Sequence, residues 1–173
     1  MSRSINKPQV ALIGNPNCGK TTLFNRITGL NQKTGNWPGV TVNSKYCAVN
    51  FDKLDYHLID LPGIYGLSID SSGQDESHVL DFLLNNKPDL IINVINANAL
   101  ERGMFMALEL QQLGCPIITV LNMWDEVLKN NIDIDTLKLS ELLGSPVLPV
   151  IANTKKDSGI DKLQREINLQ LNS

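Results

Sequence analysis

Gly14-Asn15-Pro16-Asn17-Cys18-Gly19-Lys20-Thr21 decides the fold. The eight residues fit the pattern G-x-x-x-x-G-K-[ST] of a phosphate-binding loop. Before them lies the apolar run 10–13; after them a segment carries Leu23, Phe24 and Ile27 at helical spacing. Strand, glycine loop and helix in that order let backbone N–H groups and a helix N-terminus close around an anion. Lys20 offers an ammonium to the outer phosphates, and Thr21 a hydroxyl to Mg²⁺, with Thr22 next in line at the helix start. On frequency alone, a glycine turn followed by a chance Lys-Thr turns up in roughly one chain in a hundred of this length. The flanking strand and helix make that bland reading much rarer here.

Working outward, β-branched apolar runs recur at 10–13, 46–51, 56–59, 90–95, 117–121 and 147–151 and read as six strands. Between most of them lie segments of helical spacing, such as Leu100, Met104, Ala107 and Leu108, or Ile160, Leu163, Ile167 and Leu171. Strand alternating with helix predicts an α/β domain, a mostly parallel six-stranded sheet with helices on both faces, and the phosphate loop places it in the P-loop class. Two stretches interrupt the alternation, 30–44 and 61–77, both rich in glycine and small polar residues. Irregular segments of that length in a compact domain are usually functional.

The 173 residues, 42% of them hydrophobic, suit one domain spanning 1–173. A net charge of −3 without long runs of one sign speaks against a nucleic-acid footprint or a basic membrane patch. Cys18, Cys47 and Cys115 are odd in number and widely spaced, which fits neither a disulfide framework nor a zinc site, and argues for a reducing compartment. No apolar run approaches the ~18 residues of a membrane span. The chain is therefore expected to be soluble, without inserting into a membrane itself.

Three further stretches complete a nucleotide site. Asp60-Leu61-Pro62-Gly63 ends a strand, where Asp60 can reach Mg²⁺ through water and Gly63 can donate its N–H to a terminal phosphate. An aspartate-proline-glycine turn is common on its own, but its distance from Lys20 fits the second half of the metal site. Gly39, Val40 and Thr41 lie in the first irregular stretch, and Thr41 can give Mg²⁺ a second hydroxyl when a γ-phosphate is bound. The competing reading has Thr41 simply opening the next strand. Asn122-Met123-Trp124-Asp125 follows a strand at the same sheet edge. The Asp125 carboxylate can accept from guanine N1–H and N2–H₂, whereas adenine would leave it unpaired. Asn122 would brace the loop and Met123 cover the base as a flexible apolar chain. Backbone N–H groups around Ile151, Ala152 and Asn153 are expected to add a third contact, on a short and unspecific motif.

Together, GNPNCGKTTLFN, GNWPGVTV, DLPGIYGL and NMWD resemble the N-terminal G domain of FeoB, the bacterial ferrous-iron transport family. The resemblance spans nearly the whole chain, and the 35–42 stretch carries it most specifically. It implies a Ras-like GTPase fold, GTP and GDP as ligands, Mg²⁺ as cofactor, and switch loops at 30–44 and 61–77. It also implies a cytoplasmic location, attached to helical and transmembrane domains that move Fe²⁺ across the inner membrane, with oligomers formed through the full-length protein. Ras-like enzymes place a glutamine after the switch-II glycine; here that position is Ile64, and no arginine occurs from Ile27 to Glu101. Hydrolysis unaided by either should be slow. G domains with Asn17 at this place resemble a K⁺-activated group: its amide oxygen and switch-I carbonyls near Gly35 and Trp37 would hold the ion, supplying the charge of an arginine finger. Otherwise Asn17 only braces the loop. His57, His78, Asp75 and Glu76 read as structural or solvated, leaving backbone groups to hold the attacking water. The alternatives are a slow GTP/GDP sensor, or a ribosome- or tRNA-associated GTPase, which the composition and the 35–42 stretch disfavour.

Overall fold

The structure, a computed structural model, describes residues 7–29, 35–36, 44–67, 74–154, 156 and 158–173. Among the described residues, seven strands and six α-helices follow one another as β1 (Gln9–Gly14), α1 (Lys20–Thr28), β2 (Gly35–Asn36), β3 (Lys45–Phe51), β4 (Leu54–Asp60), α2 (Gln74–Asn86), β5 (Leu90–Asn96), α3 (Leu100–Gln111), β6 (Ile117–Asn122), α4 (Trp124–Lys129), α5 (Thr136–Leu143), β7 (Val147–Pro149) and α6 (Ile160–Asn172). All six expected strands are present, and the two-residue β2 extends the sheet by a seventh. Their order is β2-β3-β4-β1-β5-β6-β7. β4, β1, β5, β6 and β7 run parallel, while β3 and β2 add antiparallel pairs at one edge.

Alternation along β1 shows why both faces must be covered. Val10 and Leu12 pack with Leu23, Phe24 and Ile27 of α1 and Leu163 and Ile167 of α6. Ala11 and Ile13 enter a second cluster with Val79, Phe82 and Leu83 of α2 and Met106 and Leu110 of α3. A fully buried strand of this kind reads as a continuous apolar run because it has no solvent face. β3 and β4 form a hairpin in which Phe51 pairs with Leu54. The two residues between them, Asp52 and Lys53, both have positive φ, at 48° and 71°. That is the requirement of a tight turn matched to the twist of its strands.

The stripe expected on α3 is met at three of its four residues: Ala107 is buried, and Leu100 and Met104 pack against its cluster. Gly103, Met106, Ala107 and Leu110 are the helix's buried residues, whereas Leu108 is 52% exposed. A Cβ on Gly103 would lie 2.3 Å from Ile95 Cγ2. The helix therefore docks on β5 through its glycine, leaving Phe105 and Leu108 outside. α6 keeps the expected stripe: Ile160, Leu163 and Ile167 are buried, and Leu171 packs against the same cluster. β7 ends at Pro149, two residues short of the apolar run; the Val150 N–H still donates to the Leu121 carbonyl at 2.8 Å, and the chain then turns away, the Ile151 N–H donating to the Ser158 carbonyl.

Parallel strands end on one edge. Leu12 pairs with Asp60 and Asn96 with Asn122, so the loop after β1, the aspartate ending β4 and the asparagine ending β6 share that edge. Among the described residues, no helix is long and apolar enough to cross a membrane.

Candidate functional site

β1 delivers Gly14 to this edge, and the chain turns back into α1 over five residues. The Cys18 N–H donates to the Asn15 carbonyl at 3.3 Å. Asn17 and Gly19 take left-handed conformations, with φ of 63° and 83°. Two positions leave no room for a side chain: a Cβ on Gly14 would meet the Val94 carbonyl oxygen at 2.3 Å, and one on Gly19 would meet Asn122 Nδ2 at 2.2 Å. The loop opens onto a recess of about 460 Å³ lined by Asn15, Pro16, Asn17, Gly19, Lys20, Thr21, Thr22 and Gly63. That volume suits a phosphate-bearing ligand of moderate size. Cys18 points away from it; burial pushes its thiol pKa up, so the side chain stays a neutral thiol beneath the loop.

At the base of α1, the Lys20 ammonium makes a buried ion pair with the Asp60 carboxylate. Thr21 Oγ1 donates to the other carboxylate oxygen at 3.3 Å. Thr21 and Asp60 thus present a hydroxyl and a carboxylate side by side. Hard oxygen donors of this kind fit Mg²⁺, which holds few protein ligands and takes the rest from phosphate and water. Lys20 balances the charge of Asp60 in this arrangement and also lines the recess.

The segment 61–67 leaves β4 against the phosphate loop. Leu61 and Ile64 donate their N–H groups to the carbonyls of Leu12 and Gly14, at 3.1 and 3.2 Å. Gly63 lies between them, so close that a Cβ would stand 3.1 Å from Pro16 Cα. Ile64 is buried in the core and offers no polar group to a water.

Asn122, 3% exposed, joins the phosphate side to the opposite end of the site. Its Nδ2 donates to the Cys18 carbonyl at 2.9 Å, and its Oδ1 accepts from the Ala152 N–H at 3.1 Å. Met123 takes φ 62° at the start of α4. With Gly19, Thr22, Asn122, Ala152 and Asn153 it lines a small recess of about 70 Å³. Asp125 stands exposed on the first turn of α4. Ile151 departs from the expected grouping: it lines a neighbouring cleft with Arg26 and Trp124, and its N–H is taken by the Ser158 carbonyl at 2.8 Å.

Gly35 pairs with Tyr46 at the sheet edge and does not line the phosphate recess. Trp37, Gly39, Val40 and Thr41 lie outside the described residues. Asp75 and Glu76 occupy the first turn of α2, where their charge suits the helix N-terminus. His57 is in β4, its ring edge-on to Tyr46 at 5.9 Å. Partial burial and Lys7 hold its pKa below the usual histidine range.

Three residues not singled out by sequence touch the machinery. Glu109 of α3 accepts the Leu67 N–H at 2.8 Å. Arg102, just past the arginine-free stretch, stands over the Tyr65 ring at 6.0 Å without lining the phosphate recess. Arg26 of α1 donates to the Thr154 carbonyl at 2.8 Å. Each contact joins residues tens of positions apart, and no local spacing signals it.

A family model described as ferrous iron transport protein B matches residues 8–167. The Fe(2+) transporter FeoB of Legionella pneumophila (strain Paris) is 45% identical over 158 residues, covering 90% of this chain and 21% of the transporter. The chain thus spans about a fifth of the length of that relative. The FeoB G-domain from Methanococcus jannaschii superposes with a TM-score of 0.83 at 33% identity, over 98% of this chain and 100% of that one. The cytosolic domain of T. maritima FeoB in its GMPPNP form gives a TM-score of 0.84 at 36% identity, over 94% of this chain and 63% of that one.

Proposed function

The chain belongs to the family of the N-terminal G domain of ferrous iron transport protein B, and from that premise we propose that it binds guanine nucleotide with Mg²⁺ and hydrolyses GTP. One observation carries the reading: the Asn122 side chain bridges the Cys18 carbonyl and the Ala152 N–H. Phosphate cradle and base-reading loops are thereby one rigid site. The GMPPNP form of the T. maritima relative supports the same ligand class.

In this reading the phosphates lie along the 14–21 loop, and Lys20 offers its ammonium to a phosphate oxygen. Thr21 and Asp60 hold Mg²⁺, with Thr41 as a further hydroxyl; the bound ion would neutralise charge shared by the outer phosphates. Gly63 donates its N–H to the terminal phosphate, and backbone groups of 30–44 and 61–67 orient the water. Asp125 reads guanine, Met123 covers the ring, and the Ala152 and Asn153 backbone closes the pocket. Asn17, exposed on the rim of the recess, would hold K⁺ with the carbonyls of Gly35 and Trp37, supplying charge that no arginine lining the recess provides. The segments 30–44 and 61–77 act as switches, ordered by the γ-phosphate and released by hydrolysis. As the cytoplasmic part of a longer protein, the domain would regulate or drive ferrous iron uptake across the bacterial inner membrane.

GTP hydrolysis measured in KCl and in NaCl, with ATP as competitor, tests the reading. Turnover stimulated by K⁺, lost in Asn17→Ala and undiminished by equimolar ATP, is the expected result; equal rates in both salts for both proteins remove the cation role. The buried, apolar Ile64 favours a second reading, a GTP/GDP sensor in which exchange outpaces slow hydrolysis. Turnover slower than nucleotide release would select it.

A further inference from the structure

Between β4 and residue 67, switch II is fastened at every third residue. The N–H groups of Leu61 and Ile64 reach backbone carbonyls of β1, Leu12 and Gly14, which the fold fixes whatever the side chains are. The third, Leu67, reaches a side chain: Glu109 Oε2 on α3, at 2.8 Å. The same carboxylate oxygen lies 3.3 Å from where a Cβ of Gly66 would sit, so the loop presses close to Glu109 because residue 66 is glycine. Leu61, Ile64 and Leu67 are buried in one cluster with Met106 and Leu110 of α3. Two turns before Glu109, Arg102 covers Tyr65. α3 therefore grips residues 65–67, within the leading half of switch II, at two points on either side of Gly66.

Resting on the GTPase reading above, we infer that Glu109 is a positioning residue for hydrolysis: it clasps the Leu67 N–H and thereby fixes the end of the segment that carries Gly63. Glu109 touches neither the phosphate recess nor the base recess. Its effect falls on the step that needs Gly63 and the neighbouring backbone aligned, and not on ground-state nucleotide binding. A carboxylate accepting a backbone N–H forms one of the stronger protein hydrogen bonds. A glutamine amide oxygen at the same place can still accept this N–H, as a neutral and weaker bond.

The test pairs steady-state GTP hydrolysis with hydrogen exchange of the amides of residues 64–67, in wild type, Glu109→Ala, Glu109→Gln and Gly66→Ala. The expected result for Glu109→Ala is kcat lower by roughly tenfold, from misplacement of groups that must be aligned, with KM and GDP affinity within about twofold. Exchange at Leu67 should quicken by at least about tenfold as local opening becomes easier. Glu109→Gln should restore most of both, and Gly66→Ala, which crowds the carboxylate from the loop side, should fall between. Unchanged exchange in Glu109→Ala overturns the clasp. Faster exchange with unchanged kcat overturns its role in hydrolysis, as does an equal loss of GDP affinity, which would mark general damage. A wild type that binds GDP but turns over no GTP removes the hydrolytic reading and this role with it; the exchange rates still decide separately whether the clasp exists.

Discussion

Replacing Asn122 by alanine removes a side chain that spans the proposed site. Two buried hydrogen bonds go: Nδ2 to the Cys18 carbonyl at 2.9 Å and the Ala152 N–H to Oδ1 at 3.1 Å. Cys18 is 1% exposed and Ala152 2%, so water cannot readily replace the lost partner. Leaving a buried group without its partner costs about 1–3 kcal/mol, so two stranded groups at about 1.5 kcal/mol each cost about 3 kcal/mol. For a domain of this size that lowers Tm by roughly 6–12 °C. Asn122→Asp is the sharper variant: it keeps the acceptor for Ala152 but faces the Cys18 carbonyl with a carboxylate oxygen, so it should destabilise at least as much. Calorimetric melts of the ligand-free protein, followed by GDP titration, read both consequences. A Tm within about 2 °C of wild type together with unchanged GDP affinity would show that the bridge holds nothing together, refuting the account of one joined site.

Gly103→Ala should lower stability by about 1–3 kcal/mol in urea unfolding, because a methyl 2.3 Å from Ile95 Cγ2 outweighs the roughly 1 kcal/mol helix preference of alanine; a gain in stability would contradict the docking described for α3. Thr119 is 1% exposed and its hydroxyl has no hydrogen-bond partner in the structure, so Thr119→Val should raise stability by about 1 kcal/mol, seen as a higher urea midpoint. The pKa of the Cys18 thiol is raised above its ordinary 9.0 by burial. The folded state therefore keeps its proton where the unfolded chain loses it, and this contribution is intact below pH 9 and declines as pH rises above it. Iodoacetamide should modify Cys18 in the native protein at pH 8 far more slowly than in urea.

Legibility followed locality. The phosphate loop, Asp60 and Asn122 could be read because each closes or follows an apolar strand, and parallel strands must end on a common edge. β1, β5 and β6 were visible because, buried on both faces, they are nearly unbroken apolar runs, and β3 because aromatic and β-branched residues run through it, its side chains alternating between core and solvent. The buried face of α3 was legible in part: Leu100, Met104 and Ala107 pack as their spacing implies, whereas Gly103 meeting Ile95 is a contact that helical periodicity does not encode. Glu109 and Arg26 escaped notice because their partners, Leu67 and Thr154, are 42 and 128 residues away. Of the N–H groups expected at 151–153, that of Ile151 donates to the Ser158 carbonyl and that of Ala152 to Asn122 Oδ1, and only Ala152 and Asn153 line the small recess.

Base choice is the most direct test, because every other part of the site could serve any nucleoside phosphate. Calorimetric titration with GDP, ADP and xanthosine diphosphate, each with Mg²⁺, should show wild type binding GDP at least roughly a hundredfold more tightly than ADP, the scale on which a polar site rejects a mismatched partner. Asp125→Asn should transfer that preference to xanthosine diphosphate. ADP binding as tightly as GDP, or Asp125→Asn leaving the preference unmoved, would contradict the assignment of this chain as a guanine-nucleotide domain.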